Sequence, residues 1–461
     1  MNTSDTAHAP AQTEISRRLD ALPVTRPHRR IVALIGLGSF FNFFEVALGT
    51  LLIPLLPAAW AATTADRSLL IGAPFLGEAI GAFALARAAD RWGRRRMFQV
   101  NLIAYAALAL LCATAWSLPA LVTMRVLIGI GLGAELTLVD TYLTELMPAR
   151  RRGRLLAASY ALGMLAVPVA GILASRLPHL VAGLPSWRWL LIASSTGAVV
   201  IWLLRRQLPE SPRWLATQGR TTEALTLVRR IEAEAGLKPG TDASPPATAD
   251  ETDTEQVPLA APVTAAPATP SVPAQRTLLV CFMQVLSPIG FYGFASIATL
   301  VLLAKGYDVV DSLAYTGLIA IGYPVGALVL AQFAERVQRR TLVVASTLTV
   351  AATGCVFGTA TSTAVIVVAG ALTSTAGVVQ ATVSRSYAAE LFPTSVRNTF
   401  VGRTYALSRL VSAVLPFIAL NVLEALGASA LYGLSALLLA SLALAVLLLG
   451  PRTNTRSLET I

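Results

Sequence analysis

The chain has 461 residues, of which 55% are hydrophobic and 13% charged, and its mean hydropathy is +0.65. A soluble globular domain carries about 25% charged residues, so a soluble protein is excluded, as are fibrous, disordered and disulfide-rich secreted classes. The net charge of +11 falls in short Arg clusters between apolar runs, which speaks against nucleic acid and for a polytopic membrane protein.

The N-terminal segment, 1–30, carries Arg17, Arg18, Arg26, Arg29 and Arg30. Six apolar runs follow at 31–56, 69–89, 97–116, 119–145, 154–177 and 187–207, and six more at 277–303, 312–334, 341–360, 364–391, 399–421 and 428–449. A spanning helix takes about 20 apolar residues. The pattern predicts an all-α membrane protein of twelve transmembrane helices in two pseudo-symmetric six-helix bundles, 31–207 and 276–449, with a tail at 450–461. Small residues at close spacing, Gly77/Gly81 and Gly129/Gly133, predict close helix approach.

Between the bundles lies 208–275. From Ser211 to about Ala235 it has helix formers in a mixed pattern; from about 236 it is rich in Pro, Ala and Thr, with Asp242, Asp250, Glu251, Asp253 and Glu255. That second part has no composition for a core and reads as a disordered tether. Arg placement sets the orientation. Arg91 and Arg94–Arg96 lie in the 2–3 loop, Arg150–Arg152 and Arg154 in the 4–5 loop, Arg336, Arg339 and Arg340 in the 8–9 loop, and Arg397 in the 10–11 loop. The even-numbered loops and both termini are therefore expected in the cytoplasm. The first apolar run is too long for a signal-peptide core and lacks a cleavage site. Cys112, Cys281 and Cys355 sit singly in apolar runs, and His8, His28 and His179 are scattered, so neither a metal site nor a cofactor is expected.

Two motifs recur. The 2–3 loop reads Asp90-Arg91-Trp92-Gly93-Arg94-Arg95-Arg96, an acid and a basic cluster at a helix–helix turn, and its weaker counterpart is Glu335-Arg336-Val337-Gln338-Arg339-Arg340. Tyr-x-x-Glu-x-x-Pro-x-x-x-Arg closes span 4 as Tyr142…Glu145…Pro148…Arg152 and span 10 as Tyr387…Glu390…Pro393…Arg397. A motif at the same place in each half marks an internal duplication.

On these residues the sequence resembles the major facilitator superfamily, with Ala86 where the loop motif usually has Gly. Arg125-x-x-x-Gly129-x-Gly131-x-Gly133, the two Tyr…Glu…Pro…Arg repeats and Pro209-Glu210-Ser211-Pro212-Arg213-Trp214-Leu215 resemble its sugar-porter and metabolite–proton symporter branch. Hexose members usually carry a Gln-Gln pair and an Asn in span 7; here that span reads Gln284-Val-Leu-Ser287-Pro288-Ile-Gly290-Phe291-Tyr292-Gly293. That ending, Arg409, and Arg18-Leu-Asp20-Ala-Leu-Pro23 look more like niacin-permease-type and organic-ion members.

Ionisable residues deep in a membrane are expensive and default to functional hypotheses. The position of Glu45 resembles the span-1 acid of proton-coupled sugar porters, with Glu in place of Asp, and the resemblance pairs it with Arg125. The pair reads either as a protonation switch or as a permanent structural anchor. Glu135, Asp140 and Glu78 are further coupling candidates. Asn42, Gln284, Tyr292, Tyr323, Gln380, Tyr405 and Arg409 are candidate substrate ligands, Arg409 alternatively pairing with a neighbouring carboxylate. Asp90, Arg91, Gly93, Arg94, Arg95, Glu145, Arg152, Glu335, Arg339, Glu390 and Arg397 form the candidate cytoplasmic gate.

Walker A, nucleophile-elbow and metal-ligand spacings do not occur, so no enzyme is indicated. The expectation is a monomeric secondary transporter in the cytoplasmic membrane, with a small organic solute, protons and lipid as its partners. Proton symport of an organic or aromatic acid is the leading reading. An antiporting exporter, a sugar transporter and, remotely, a non-transporting sensor are the alternatives.

Overall fold

The computed structural model describes residues 14–451 apart from 149–150, 178–179, 182, 235, 237–273, 334–336 and 393; for 83–90, 134, 136–137, 180–181 and 394–403 it describes the backbone alone. The expected tether therefore lies almost wholly outside the described residues.

The first bundle contains span 1 (Arg26–Leu51), span 2 (Thr64–Trp92), span 3 (Arg94–Ala113), span 4 (Leu118–Leu146), span 5 (Arg152–Met164 and Ala166–Arg176) and span 6 (Ser186–Arg205). The second contains span 7 (Ala274–Pro288 continuing to Ala304), span 8 (Val309–Ile319 and Gly322–Phe333), span 9 (Arg339–Thr359), span 10 (Thr363–Glu390) and spans 11 and 12 within Thr394–Leu449. Spans 11 and 12 are divided at Gly427, whose φ of 79° no interior helical residue adopts. Ten stretches among the described residues are long and apolar enough to cross a membrane, the last running through both spans 11 and 12. Span 2, with Asp66, Arg67 and Glu78, is the helix outside that set. A two-residue antiparallel ladder, Leu180–Val181 with Leu184–Pro185, is the one departure from all-α structure among the described residues.

Prolines explain the interruptions. A proline ring clashes with the carbonyl four residues earlier. Pro168 thus breaks span 5 after Met164, and Pro324 breaks span 8 around Ala320. Pro288 precedes a π-helical turn, Ile289–Gly293, which locally widens span 7. Span 1 starts and ends about five residues earlier than its apolar run, because Pro27 suits a first helical turn and Pro54 opens a 3-10 turn.

Glycines set the helix spacing. A Cβ on Gly77 or Gly81 would run into the Val126 or Ile130 carbonyl, and one on Gly129 or Gly133 into the Pro74 or Glu78 carbonyl. Spans 2 and 4 therefore touch backbone to backbone, as the small-residue spacing requires. The halves meet in the same way. A Cβ on Gly171 of span 5 would lie 2.7 Å from the Gly317 Cα of span 8, and Gly72 of span 2 abuts the Ala413 carbonyl of span 11.

A second layer covers the end that bears the termini. Helices Pro212–Thr217 and Thr221–Glu234 pack with a short helix at 14–21 that the sequence reading treated only as a terminal segment. Ile15 and Leu19 are fully buried in a cluster with Leu215, Val228 and Ile231. Arg18 makes two contacts to the Glu232 carboxylate, and Asp20 Oδ1 accepts from Arg152 at 2.9 Å and Arg213 at 2.7 Å.

Candidate functional site

Two fully buried arginines anchor the first bundle. Arg125 of span 4 lies 2.9 Å from Glu45 Oε1 and also donates to the Glu45 carbonyl (3.2 Å) and the Leu70 carbonyl (3.3 Å). Tyr105 donates to Glu45 Oε2 at 3.5 Å and contacts Ser194. Arg205, the last residue of span 6, bonds Glu135 at 2.8 Å and donates to the Leu34 and Ile35 carbonyls at 3.1 and 3.0 Å. Asn101 donates to the other Glu135 oxygen at 3.0 Å, and the guanidinium stacks 4.8 Å from the Phe98 ring centre. Gly38 makes room for it, since a Cβ there would coincide with the guanidinium.

The central cavity lies mostly against the second bundle. Gln284, Ser287 and Tyr292 of span 7, Ser384 and Arg385 of span 10, and Tyr405 and Arg409 of span 11 line it, with Phe43 and Met164 opposite. Arg409 sits between two aromatic faces, 4.5 Å from Tyr292 and 4.6 Å from Tyr405, and donates to the Tyr405 hydroxyl at 2.6 Å. It reaches across the halves to Glu78, midway along span 2, at 3.0 Å. Arg385 lies 5.6 Å from the ring centre of Tyr160, whose hydroxyl donates to Asp140 at 2.8 Å. The cavity volume is about 40 Å³, room for a water or two and for no organic solute.

The end away from the termini is drawn together. Thr50 of span 1 bonds the Ser296 carbonyl of span 7, and Glu424 takes Arg67 at 3.1 Å and the Thr64 hydroxyl; nearer the middle of the bundle Phe75 meets Tyr292 edge-on at 5.1 Å. A separate cleft of about 620 Å³, lined by Ile53, Arg67, Leu303 and Glu424 among others, lies at that end.

At the termini-bearing end the two motifs make matching contacts. Arg94 pairs with Glu145 at 3.3 Å, and Arg339 with Glu390 at 2.8 Å. Tyr142 donates to the Pro209 carbonyl and Tyr387 to the Pro451 carbonyl, each at 2.7 Å. The Pro209-Glu210-Ser211 segment is a connector of helix ends. Glu210 Oε1 accepts from the Arg94 and Arg95 amides (both 3.1 Å) and from Ser211 N (3.0 Å), a carboxylate at the positive end of span 3. Ser211 Oγ caps the next helix by accepting from Trp214 N at 3.2 Å. Gly93 is required twice over: its φ is 94°, and a Cβ would press 2.5 Å from Glu210 Oε2.

The structure thus brings Gln284, Tyr292, Tyr405 and Arg409 to one cavity and leaves the other candidate ligands elsewhere. Asn42 donates to the Leu132 carbonyl at 3.1 Å and ties span 1 to span 4. Tyr323 packs edge-on to Phe291 at 5.4 Å, outside the cavity lining. Gln380 is fully buried beside Gly290, its amide atoms without a hydrogen-bond partner among the described residues. Arg91 is exposed, and Arg152 joins Asp20. Asp90, Glu335 and Arg397 have side chains outside the described residues. Sequence reasoning did not single out Arg205 or Arg385. A cation inside the apolar run 364–391 was the available signal for Arg385.

The family described as Sugar (and other) transporter matches residues 25–461. Among relatives, the putative metabolite transport protein YyaJ of Bacillus subtilis is 28% identical over 396 residues, covering 86% of each chain. The niacin transporter NiaP of Acinetobacter baylyi is 26% identical over 455 residues, covering 97% of this chain and 99% of that one. The partially occluded inward-open structure of the xylose transporter XylE from E. coli superposes with a TM-score of 0.71 at 17% identity, over 93% of this chain and 99% of that one.

Proposed function

Since the chain belongs to the sugar (and other) transporter family, with the twelve-helix fold of a multi-pass membrane transporter and not of an enzyme, we propose that it carries a small organic acid by proton symport and alternating access. The observation that supports this substrate class is the pair Arg385 and Arg409 on the central cavity, with Tyr292 and Tyr405 beside Arg409. Guanidinium forks suit a carboxylate, and flanking aromatic faces suit a planar ring. The hydroxyls of Ser287 and Ser384, without a hydrogen-bond partner among the described residues, add donors at the same wall. The relative named a niacin transporter fits the same chemistry, niacin being an aromatic carboxylate. Glu45, sealed against Arg125, is the proton-coupling acid of this reading.

In this reading the termini, the helices over 212–234 and the loop gate face the cytoplasm, and the closed end faces outward. A cysteine introduced at Pro246 should resist an impermeant thiol reagent in intact cells, and labelling from outside would reverse the orientation. The protein works as a monomer, its two halves rocking about the contacts of span 2 with span 11 and span 5 with span 8.

The substrate test is a thermal-shift comparison of purified protein with nicotinate, benzoate, their neutral amides, xylose and tetraethylammonium. The carboxylates should stabilise and the amides should not. A ligand at a hundred times its dissociation constant contributes about 2.7 kcal/mol. Arg409→Gln and Arg385→Gln should each lose at least about tenfold in carboxylate affinity, since charge-assisted bonds in a desolvated site are worth upward of 1.5 kcal/mol. Stabilisation by xylose with no response to either carboxylate would overturn the substrate class.

A further inference from the structure

We propose that Glu78 carries the proton of the binding step: the substrate carboxylate replaces Glu78 on Arg409, and Glu78 leaves that contact protonated. The inference rests on the carboxylate reading of the cavity given above.

Glu78 and Arg409 are 2% exposed and lie on opposite halves of the molecule. Arg409 Nη1 lies 3.0 Å from Glu78 Oε2. Glu78 Oε1 and Arg409 Nε both lack a hydrogen-bond partner among the described residues. A permanent buried pair is expected to satisfy both forks; this one leaves an acceptor open on the acid and a donor open on the cation. Arg409 is among the residues that line the central cavity and Glu78 is not, so a solute in the cavity meets the guanidinium and not its present partner. The Glu78 backbone is held against Gly133 of span 4, so exchange needs only the side chain to swing.

The groups around Glu78 define the charge balance. Span 11 presents Arg409 and Tyr405, span 7 presents Tyr292, and Arg385 of span 10 lies beyond Tyr405 with Asp140 and Tyr160 at its far side. Span 4 presents the glycine backbone of Gly133. Two cations, Arg385 and Arg409, face two carboxylates, Asp140 and Glu78, so the empty cavity is formally neutral. An added carboxylate alone would leave one uncompensated negative charge in the membrane interior. One carboxylate plus one proton keeps the cavity neutral. The arginine–glutamate pair, a substrate carboxylate and a proton become an arginine–substrate pair and a neutral glutamic acid. A carboxyl group parted from its cation in apolar surroundings favours that protonated form.

Calorimetry on the purified full chain tests this with benzoate and nicotinate as probes, at about pH 7.5 in phosphate and in Tris, whose ionisation enthalpies differ. The difference in heat gives the protons taken up per ligand bound; about one is expected for the wild type, about one for Glu78→Asp, and near zero for Glu78→Gln. Because Glu78→Gln leaves Arg409 without its counter-charge, benzoate should also raise its Tm by more than it raises the wild-type Tm. That readout persists if the variant must be purified with benzoate present. Binding without proton uptake in the wild type, or unchanged uptake in Glu78→Gln, would remove the role from Glu78 and leave the carboxylate reading standing. Failure of both carboxylates to bind while xylose binds would remove both.

Discussion

Glu45→Gln is expected to abolish gradient-driven accumulation while substrate exchange continues. The Glu45 carboxylate is fully buried against Arg125, and the arginine keeps two backbone acceptors, the carbonyls of Glu45 and Leu70, whatever residue 45 carries. A neutral Gln of the same length therefore leaves Arg125 positioned and the bundle folded. What it removes is a group that can lose and regain a proton as the ion pair forms and loosens, which the unloaded carrier needs to return, so the variant exchanges substrate but completes no net cycle whatever proton accompanies the substrate at Glu78. One coupled proton sustains at most about tenfold accumulation per unit of pH gradient, about 1.4 kcal/mol. In proteoliposomes with an imposed gradient the variant should hold inside and outside concentrations near equality, while counterflow of labelled substrate survives. The pH dependence of uptake between about 5 and 8 should flatten. Continued accumulation against the gradient would make Glu45 an anchor, and Glu78 and Asp140 the remaining acids of the reading.

The apolar runs locate the helices well because a membrane forces each crossing to satisfy its own backbone hydrogen bonds over a fixed length. Span boundaries differ by a few residues, as at span 1, where proline positions and not apolarity set the ends. The repeated Tyr…Glu…Pro motif is legible because it recurs at the same place in each half; its partners, Arg94 with Glu145 and Arg339 with Glu390, meet at the open end of one two-helix hairpin, 51 positions apart in both halves. Cavity residues are harder to read. Asn42 and Phe43 are adjacent, but a helix turns about 100° per residue, so Phe43 lines the cavity and Asn42 faces span 4. Residue type favoured Asn42; the helix rotation that decides the matter is a property of packing. Likewise Arg385 and Asp140 stand 245 positions apart, and only the docking of the two halves makes them neighbours. Arg205 sits at the end of a span, where an arginine reads simply as part of the positive-inside pattern, although it is fully buried.

That burial leads to the largest expected loss of folded protein. Arg205→Met should remove most inserted, folded protein, because it strands the Glu135 carboxylate 2% exposed with Asn101 as its remaining side-chain partner among the described residues. It also takes donors from the Leu34 and Ile35 carbonyls and a cation from the Phe98 face. Breaking a buried pair on one side costs about 3–5 kcal/mol. Glu135→Met alone leaves the guanidinium its two carbonyls and its ring, so it should cost less. The double variant Arg205→Met/Glu135→Met should recover most of the loss, since replacing both members of a buried ion pair by apolar side chains of similar volume is often neutral. Fluorescence size-exclusion profiles and Tm values for the four proteins of the cycle give the coupling directly, expected at about 2 kcal/mol or more in favour of the pair. Recovery in the double variant with carboxylate-driven proton uptake intact assigns Glu135 to holding spans 1, 3, 4 and 6 together at the termini-bearing end. A double variant that folds but no longer takes up protons would return Glu135 to the coupling path.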